Sequence, residues 1–179
     1  MTKVSAGILL YRHDNSGIEF LLVHPGGPFW ARKDAQAWSI PKGETGAMER
    51  AGEIGEAGKI TKAAQALKTE SLEAAARREF REETGMAFEG TLTPMACVKT
   101  SGNKVIHAFL GEGDFDPAAL QSNSFDMEWP PKSGKMQTFP EVDHAAWFSP
   151  DVAKKKIHKG QLPLIAFAEE LLLPFLPLA

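Results

Sequence analysis

The stretch from Lys68 to Met86, KTESLEAAARREFREETGM, decides how the rest of the chain is read. Leu72, Ala75, Ala76 and Phe80 recur at helical spacing beside the aliphatic stem of Arg77, while Glu70, Glu73, Glu79, Glu82 and Glu83 populate the polar side. Thr69 or Ser71 can accept amide hydrogen bonds at the start, and Gly85 is the residue that leaves a helix most easily at positive φ. The pattern predicts one helix with a dense acidic end that stops at Gly85.

Glu79 and Glu83 are four apart and Glu79 and Glu82 three apart, so the three carboxylates can converge on one side, with about 6 Å between neighbouring Cβ atoms. Like charges so placed repel, and the negative end of the helix dipole adds to the cost. Something positive must compensate them. Arg77, Arg78 and Arg81 are the internal candidates, and a divalent cation is the external one. All-oxygen ligation suits Mg²⁺ or Mn²⁺, whereas zinc would want the His or Cys that this stretch lacks. A solvated acidic face laced by arginines accounts for the spacing equally well.

The segment resembles the signature of the Nudix hydrolases: Gly, five residues, Glu, seven residues, Arg-Glu, an apolar residue, any residue, Glu-Glu, any residue, Gly and an apolar residue. Glu70 matches the first Glu, Arg78-Glu79 the Arg-Glu pair, Phe80 the apolar site, Glu82-Glu83 the double Glu, Gly85 the last Gly and Met86 the final apolar position. One position departs. Ala64 stands where the first Gly belongs, but Ser39-Ile40-Pro41-Lys42-Gly43 resembles the family's strand end and Pro-Lys-Gly turn. An insertion of about 21 residues, within approximately 44–68, then splits the box. Its first half is glycine-rich, and Ile60, Ala63, Ala64 and Leu67 suggest a short helix after a loop. A surface elaboration is expected there, with a lid over the substrate as the other reading.

The resemblance implies an α/β fold, a Nudix-like α/β/α sandwich with a central mixed β-sheet, formed by residues 1–179 as one domain. It also implies metal-dependent hydrolysis of a phosphoanhydride in a nucleoside diphosphate linked to another moiety, such as a nucleoside triphosphate or dinucleoside polyphosphate. Glu79, Glu82 and Glu83, with the Gly43 carbonyl, are the implied ligands of Mg²⁺ or Mn²⁺. Arg78 is expected to orient the glutamates, and Glu82, Glu128 and Glu141 are the candidates for general base, Glu82 first because its proximity follows from the helix. Lys42, His107, Phe125 and Lys132 are candidate substrate contacts, Lys42 and Lys132 for phosphate and Phe125 for a base. Each also has a plainer reading as a turn, core or loop residue. From a different class comes a nucleotide-sensing or protein-binding module with the same fold and no turnover.

Outside the box, Val4–Tyr11 and Phe20–His24 read as a hairpin around Asp14-Asn15-Ser16-Gly17, and Trp38–Ile40 as a short strand. Pro94 limits the run after Gly85 to an edge or a turn, and Lys104–Leu110 reads as a strand covered on both faces. Gly111–Phe139 is turn-rich, with Phe115, Phe125 and Trp129 as anchors. Val142–Phe148 reads as a strand, Pro150–Lys156 as a helix and Leu162–Leu173 as a core-packing helix, with membrane or partner attachment as the runner-up. His24 is expected to be a satisfied structural histidine, and Cys97, the only cysteine, a buried strand residue.

With 179 residues, 43% apolar content and a net charge of -3, one full core is affordable and a surface for extended nucleic acid is disfavoured. No apolar run reaches membrane-spanning length and no secretory signal is legible, so the expected location is cytoplasmic and the expected partner a nucleotide or other diphosphate small molecule.

Overall fold

The computed structural model describes residues 3–15, 17–45 and 70–175. Strand β1 (Lys3–Asp14) and strand β2 (Gly17–Pro25) form the expected hairpin, paired antiparallel from Tyr11↔Phe20 to Asp14↔Gly17. Toward the start of β1 the two strands part. A three-residue strand, β3 (Lys42–Glu44), pairs antiparallel with Ser5–Gly7 of β1, so the Pro-Lys-Gly turn is wedged where the hairpin opens.

The other side of β1 pairs in parallel with β5 (Lys104–Glu112), and β5 pairs antiparallel with the edge strand β4 (Leu92–Thr100). The ladder of β4 shifts between Pro94 and Cys97, as befits a strand carrying a proline that cannot donate. The opposite edge is β8 (Val142–Phe148), antiparallel to β2, which gives a six-stranded mixed sheet. Between β5 and β8 the chain forms a separate hairpin of β6 (Ser124–Glu128) and β7 (Met136–Pro140).

Helix α1 (Leu72–Thr84) covers one face of the sheet, while α2 (Pro150–Lys156) and α3 (Leu162–Leu172) cover the other. Ile8, Leu10 and Leu21 pack against Ala75, Ala76 and Phe80 of α1; Leu9, Phe20 and Leu22 join Leu164, Ile165 and Ala168 of α3 in the second core. Alternate residues of β1 therefore enter different cores, which explains the unbroken apolar run AGILL. Two helical layers around a mixed sheet are the α/β arrangement that the sequence implied.

Three details differ from expectation, and a fourth expectation falls outside the described residues. Trp38–Ile40 is not a ladder strand: only bridges Val23↔Ser39 and Trp38↔Ile157 form, because the chain must turn at Pro41 to enter the β1–β2 split. Cys97 is exposed, since β4 is an edge strand whose ladder is disturbed beside it. Residues 111–139 contain the β6–β7 hairpin, whose short strands carry too little apolar alternation to read in advance. The expected loop and helix across 44–68 lie outside the described residues apart from Glu44 and Thr45. Among the described residues no helix is long and apolar enough to cross a membrane.

Candidate active site

Helix α1 begins where Ser71 Oγ accepts the Ala74 N–H at 3.1 Å and ends at Gly85, which has φ 83° and donates its N–H to the Arg81 carbonyl. The left-handed conformation is one reason for glycine at this position. The other is a close approach of segment 121–123: any Cβ on Gly85 would lie 2.8 Å from that of Gln121. Gln121 N–H donates to the Thr84 carbonyl and Asn123 N–H to the Glu82 carbonyl, so this segment caps the acidic end of the helix. The Asn123 carbonyl then accepts the N–H of Glu141, tying the residue before β8 to the same helix end.

Four carboxylates meet there. Glu79 is only 9% exposed, on the inner side of α1 rather than its solvent side, and burial pushes its carboxyl upward against the opposing pull of Arg78. Glu83 accepts the Lys42 N–H at 3.0 Å; burial of its carboxyl pushes it up to about 8 despite the nearby Lys42 ammonium. Glu141 is pushed up by burial and then by the charge of Glu82, and its own charge in turn raises Glu79 and Glu83. These shifts describe crowded negative groups, with Glu79 and Glu83 on the poorly solvated side and Glu141 at the exposed side.

Gly43 is the backbone wall of this cluster. A Cβ on it would collide with the Glu79 carboxylate, so only glycine lets that carboxylate rest against the Pro-Lys-Gly turn. Arg78 holds the other side. Its Nε and Nη2 fork onto Glu70 at 2.9 and 3.1 Å, Nη1 reaches Glu79 at 2.6 Å and Glu82 at 3.1 Å, and Nη2 also donates to the Glu44 carbonyl at 3.3 Å. One planar guanidinium thus fixes three glutamates, and they hold it firmly protonated.

The donors offered around Gly43 are carboxylate oxygens, the set that suits a hard divalent cation. Closely packed carboxylates, raised by burial and by one another, fit such a cation as their missing counter-charge.

Beside the cluster, the same turn lines a cavity of about 440 Å³. Lys42, Gly43, Trp30, Lys104, His158 and Gln161 are among its walls. Trp30, Lys104 and His158 come from three distant segments and carry no shared sequence signal, so sequence reasoning missed them. His107, expected as a substrate contact, does not line this cavity: it follows the lining residue Ile106 on β5, opposite Ala6 of β1, and neighbouring strand residues face opposite sides of the sheet. Phe125 packs on Phe139 within the β6–β7 hairpin, and Lys132 sits exposed between those strands at φ 63°. Glu128 accepts the Gly134 N–H at 2.6 Å across that hairpin's own turn. The structure thus brings Lys42, Gly43, Arg78, Glu79, Glu82, Glu83 and Glu141 together, and places Phe125, Glu128 and Lys132 on a separate element.

A second cluster lies at the β2–β8 edge. His24 Nδ1 is 2.7 Å from Asp143 Oδ1, His144 Nδ1 is 3.0 Å from the same oxygen, and His24 Nε2 is 2.7 Å from the Lys33 carbonyl. One donor atom from each of His24, Asp143 and His144 lies within 4.8 Å of the others, which makes them a candidate metal group. As the sequence suggested, His24 is buried and satisfied by its neighbours.

The NUDIX domain family model matches residues 1–167. The chain belongs to the NUDIX family. The NUDIX fold is also found in solved structures: a C. elegans Ap4A hydrolase in a binary complex aligns with TM-score 0.59 and 20% identity over 96% of this chain and 99% of that one. The NUDIX domain of Shewanella oneidensis NrtR complexed with ADP ribose aligns with TM-score 0.56 and 18% identity over 96% and 89% of the two chains. A MutT/nudix family protein from Enterococcus faecalis gives 0.58 and 15% over 97% and 63%. No curated protein matches the sequence significantly. At these identities the likeness is one of fold, and the NUDIX glutamates are placed by this chain's own geometry.

Proposed function

We propose that this NUDIX protein hydrolyses a phosphoanhydride bond in a nucleoside diphosphate linked to a further group, with Mg²⁺ or Mn²⁺ as cofactor. The observation that carries this reading is the gathering of Glu79, Glu82, Glu83 and Glu141 against the Lys42-Gly43 turn, beside a cavity whose walls include Lys42 and Lys104. Glu79, Glu82 and Glu83, with the Gly43 carbonyl, would hold the cation, which when bound neutralises phosphoryl charge and makes water a better nucleophile.

The remaining work falls to the chain's own groups. Lys42 and Lys104 can attract the phosphates, and Trp30 can stack on a base, an arrangement suited to a nucleoside triphosphate or a dinucleoside polyphosphate. Arg78 positions the glutamates and does not itself contact phosphate, since its donors are spent on Glu70, Glu79, Glu82 and the Glu44 carbonyl. Glu141 is the proposed general base. It stands on a segment of its own rather than in the helical ligand set, tied to the end of the helix through Asn123, and burial and the charge of Glu82 raise its carboxyl. Glu128, bound to its own hairpin turn, has no comparable link to the cluster.

The test is product analysis on a panel of nucleoside triphosphates, dinucleoside polyphosphates (Ap4A among them, as named for the worm hydrolase) and nucleotide sugars, with Mg²⁺ or Mn²⁺. Metal-dependent products that disappear in Glu83→Gln are expected. Nucleotide binding by the folded protein without products across the panel would instead identify a nucleotide-sensing module.

A further inference from the structure

We infer that His24, Asp143 and His144 form a second metal site, selective for a borderline transition ion of the Zn²⁺ type and separate from the glutamate cluster. Neighbouring residues of a regular strand point to opposite faces, so Asp143 and His144 would not ordinarily share a ligand. Here the β2–β8 ladder passes from His24↔His144 directly to Pro25↔Val142, leaving Asp143 as the extra residue of a bulge. A bulge re-aims side chains, and this one brings the Asp143 carboxylate against both imidazoles.

His24 is prepared for ligation by its second contact. With Nε2 donating to the Lys33 carbonyl, Nδ1 is the nitrogen aimed at the Asp143 carboxylate, where a cation can take the place of the proton that joins them; metal-binding histidines are commonly oriented in this way by a backbone carbonyl. Its ring is also braced edge-on by Trp38, with centroids 5.3 Å apart. The two separations to Asp143, 2.7 and 3.0 Å, lie close to the roughly 3.3 Å expected between ligands of one tetrahedral zinc ion, and all three donor atoms lie within 4.8 Å of one another. Two imidazole nitrogens and one carboxylate favour zinc over Mg²⁺, which prefers oxygen ligands and surrenders its water reluctantly. His144 is exposed, giving an ion a way in from solvent, and three protein ligands leave a coordination position open.

The experiment uses the full chain, stripped with a chelator and returned to chelator-free buffer containing excess Mg²⁺, with Zn²⁺ titrated calorimetrically and by thermal shift. One equivalent should bind and raise the melting temperature. His144→Ala changes an exposed side chain and should fold normally, yet weaken Zn²⁺ binding at least about tenfold and abolish the thermal shift. Glu79→Gln should leave Zn²⁺ binding as it is in the wild type, which separates this site from the one proposed for hydrolysis. The inference is overturned if the wild type takes up no Zn²⁺, if His144→Ala binds it equally well, or if Glu79→Gln removes it.

Discussion

A methyl group on Gly43 would occupy space now held by the Glu79 carboxylate, so Gly43→Ala is expected to displace that carboxylate while leaving the sheet largely intact. Turnover with Mg²⁺ should fall roughly 10–100-fold, as when a metal ligand loses its orientation, with little change in circular dichroism. Arg78→Lys keeps a charge and loses the fork; a comparable drop in kcat with KM nearly unchanged would mark Arg78 as a positioning residue, and an unchanged kcat would count against it. Glu83 supplies the pH prediction. Its carboxyl is raised in the folded state to about 8, so the folded protein holds this proton more tightly than the unfolded chain. The associated stability is present below the ordinary carboxylate range and is lost as pH rises through about 8. In chelator, Glu83→Gln should therefore match the wild type near pH 5 and become relatively more stable toward pH 8 and above, as read by urea denaturation. Mg²⁺ should bind the wild type more tightly as pH rises through that range. The sequence made the identities and spacing of these glutamates legible, but the burial of Glu79 and the contribution of Glu141 depend on contacts between distant segments.

Helix α1 was readable almost to its ends because local signals agree: Ser71 at the cap, apolar spacing through Phe80 and Gly85 at the exit. Phe80 is fully buried between the helix and β1, and Phe80→Ala should cost about 3–5 kcal/mol of unfolding free energy, measurable by denaturant titration. Strands β1, β2, β5 and β8 were also legible, since their apolar runs are long enough to outweigh local ambiguity. The bulge at Asp143 was not. A one-residue slip in pairing leaves no mark in composition, yet it decides which faces Asp143 and His144 share. The same holds for β3, three residues whose extended form comes from the partner they meet on β1.

Across the molecule, topology supplies what no single segment announces: the parting of β1 and β2 makes room for the Lys42-Gly43 turn, and the strap at 121–123 carries Glu141 to the far end of α1. The mixed sheet and its helical layers followed from the family signature, whereas the cavity joining Trp30, Lys104 and His158 required the assembled fold. Arg78 has one more consequence at this scale. It grips the Glu44 carbonyl on one side of residues 46–69 and the Glu70 carboxylate on the other. The residues on both sides of 46–69 are thereby moored to one guanidinium. Replacing residues 46–69 with a short Gly/Ser linker should accordingly leave Mg²⁺-dependent kcat within a few-fold of the wild type, because loop length alone changes closure entropy only slowly. With both anchors held by one side chain, the spacing between Glu44 and Glu70 along the chain is free to differ from their spacing at Arg78.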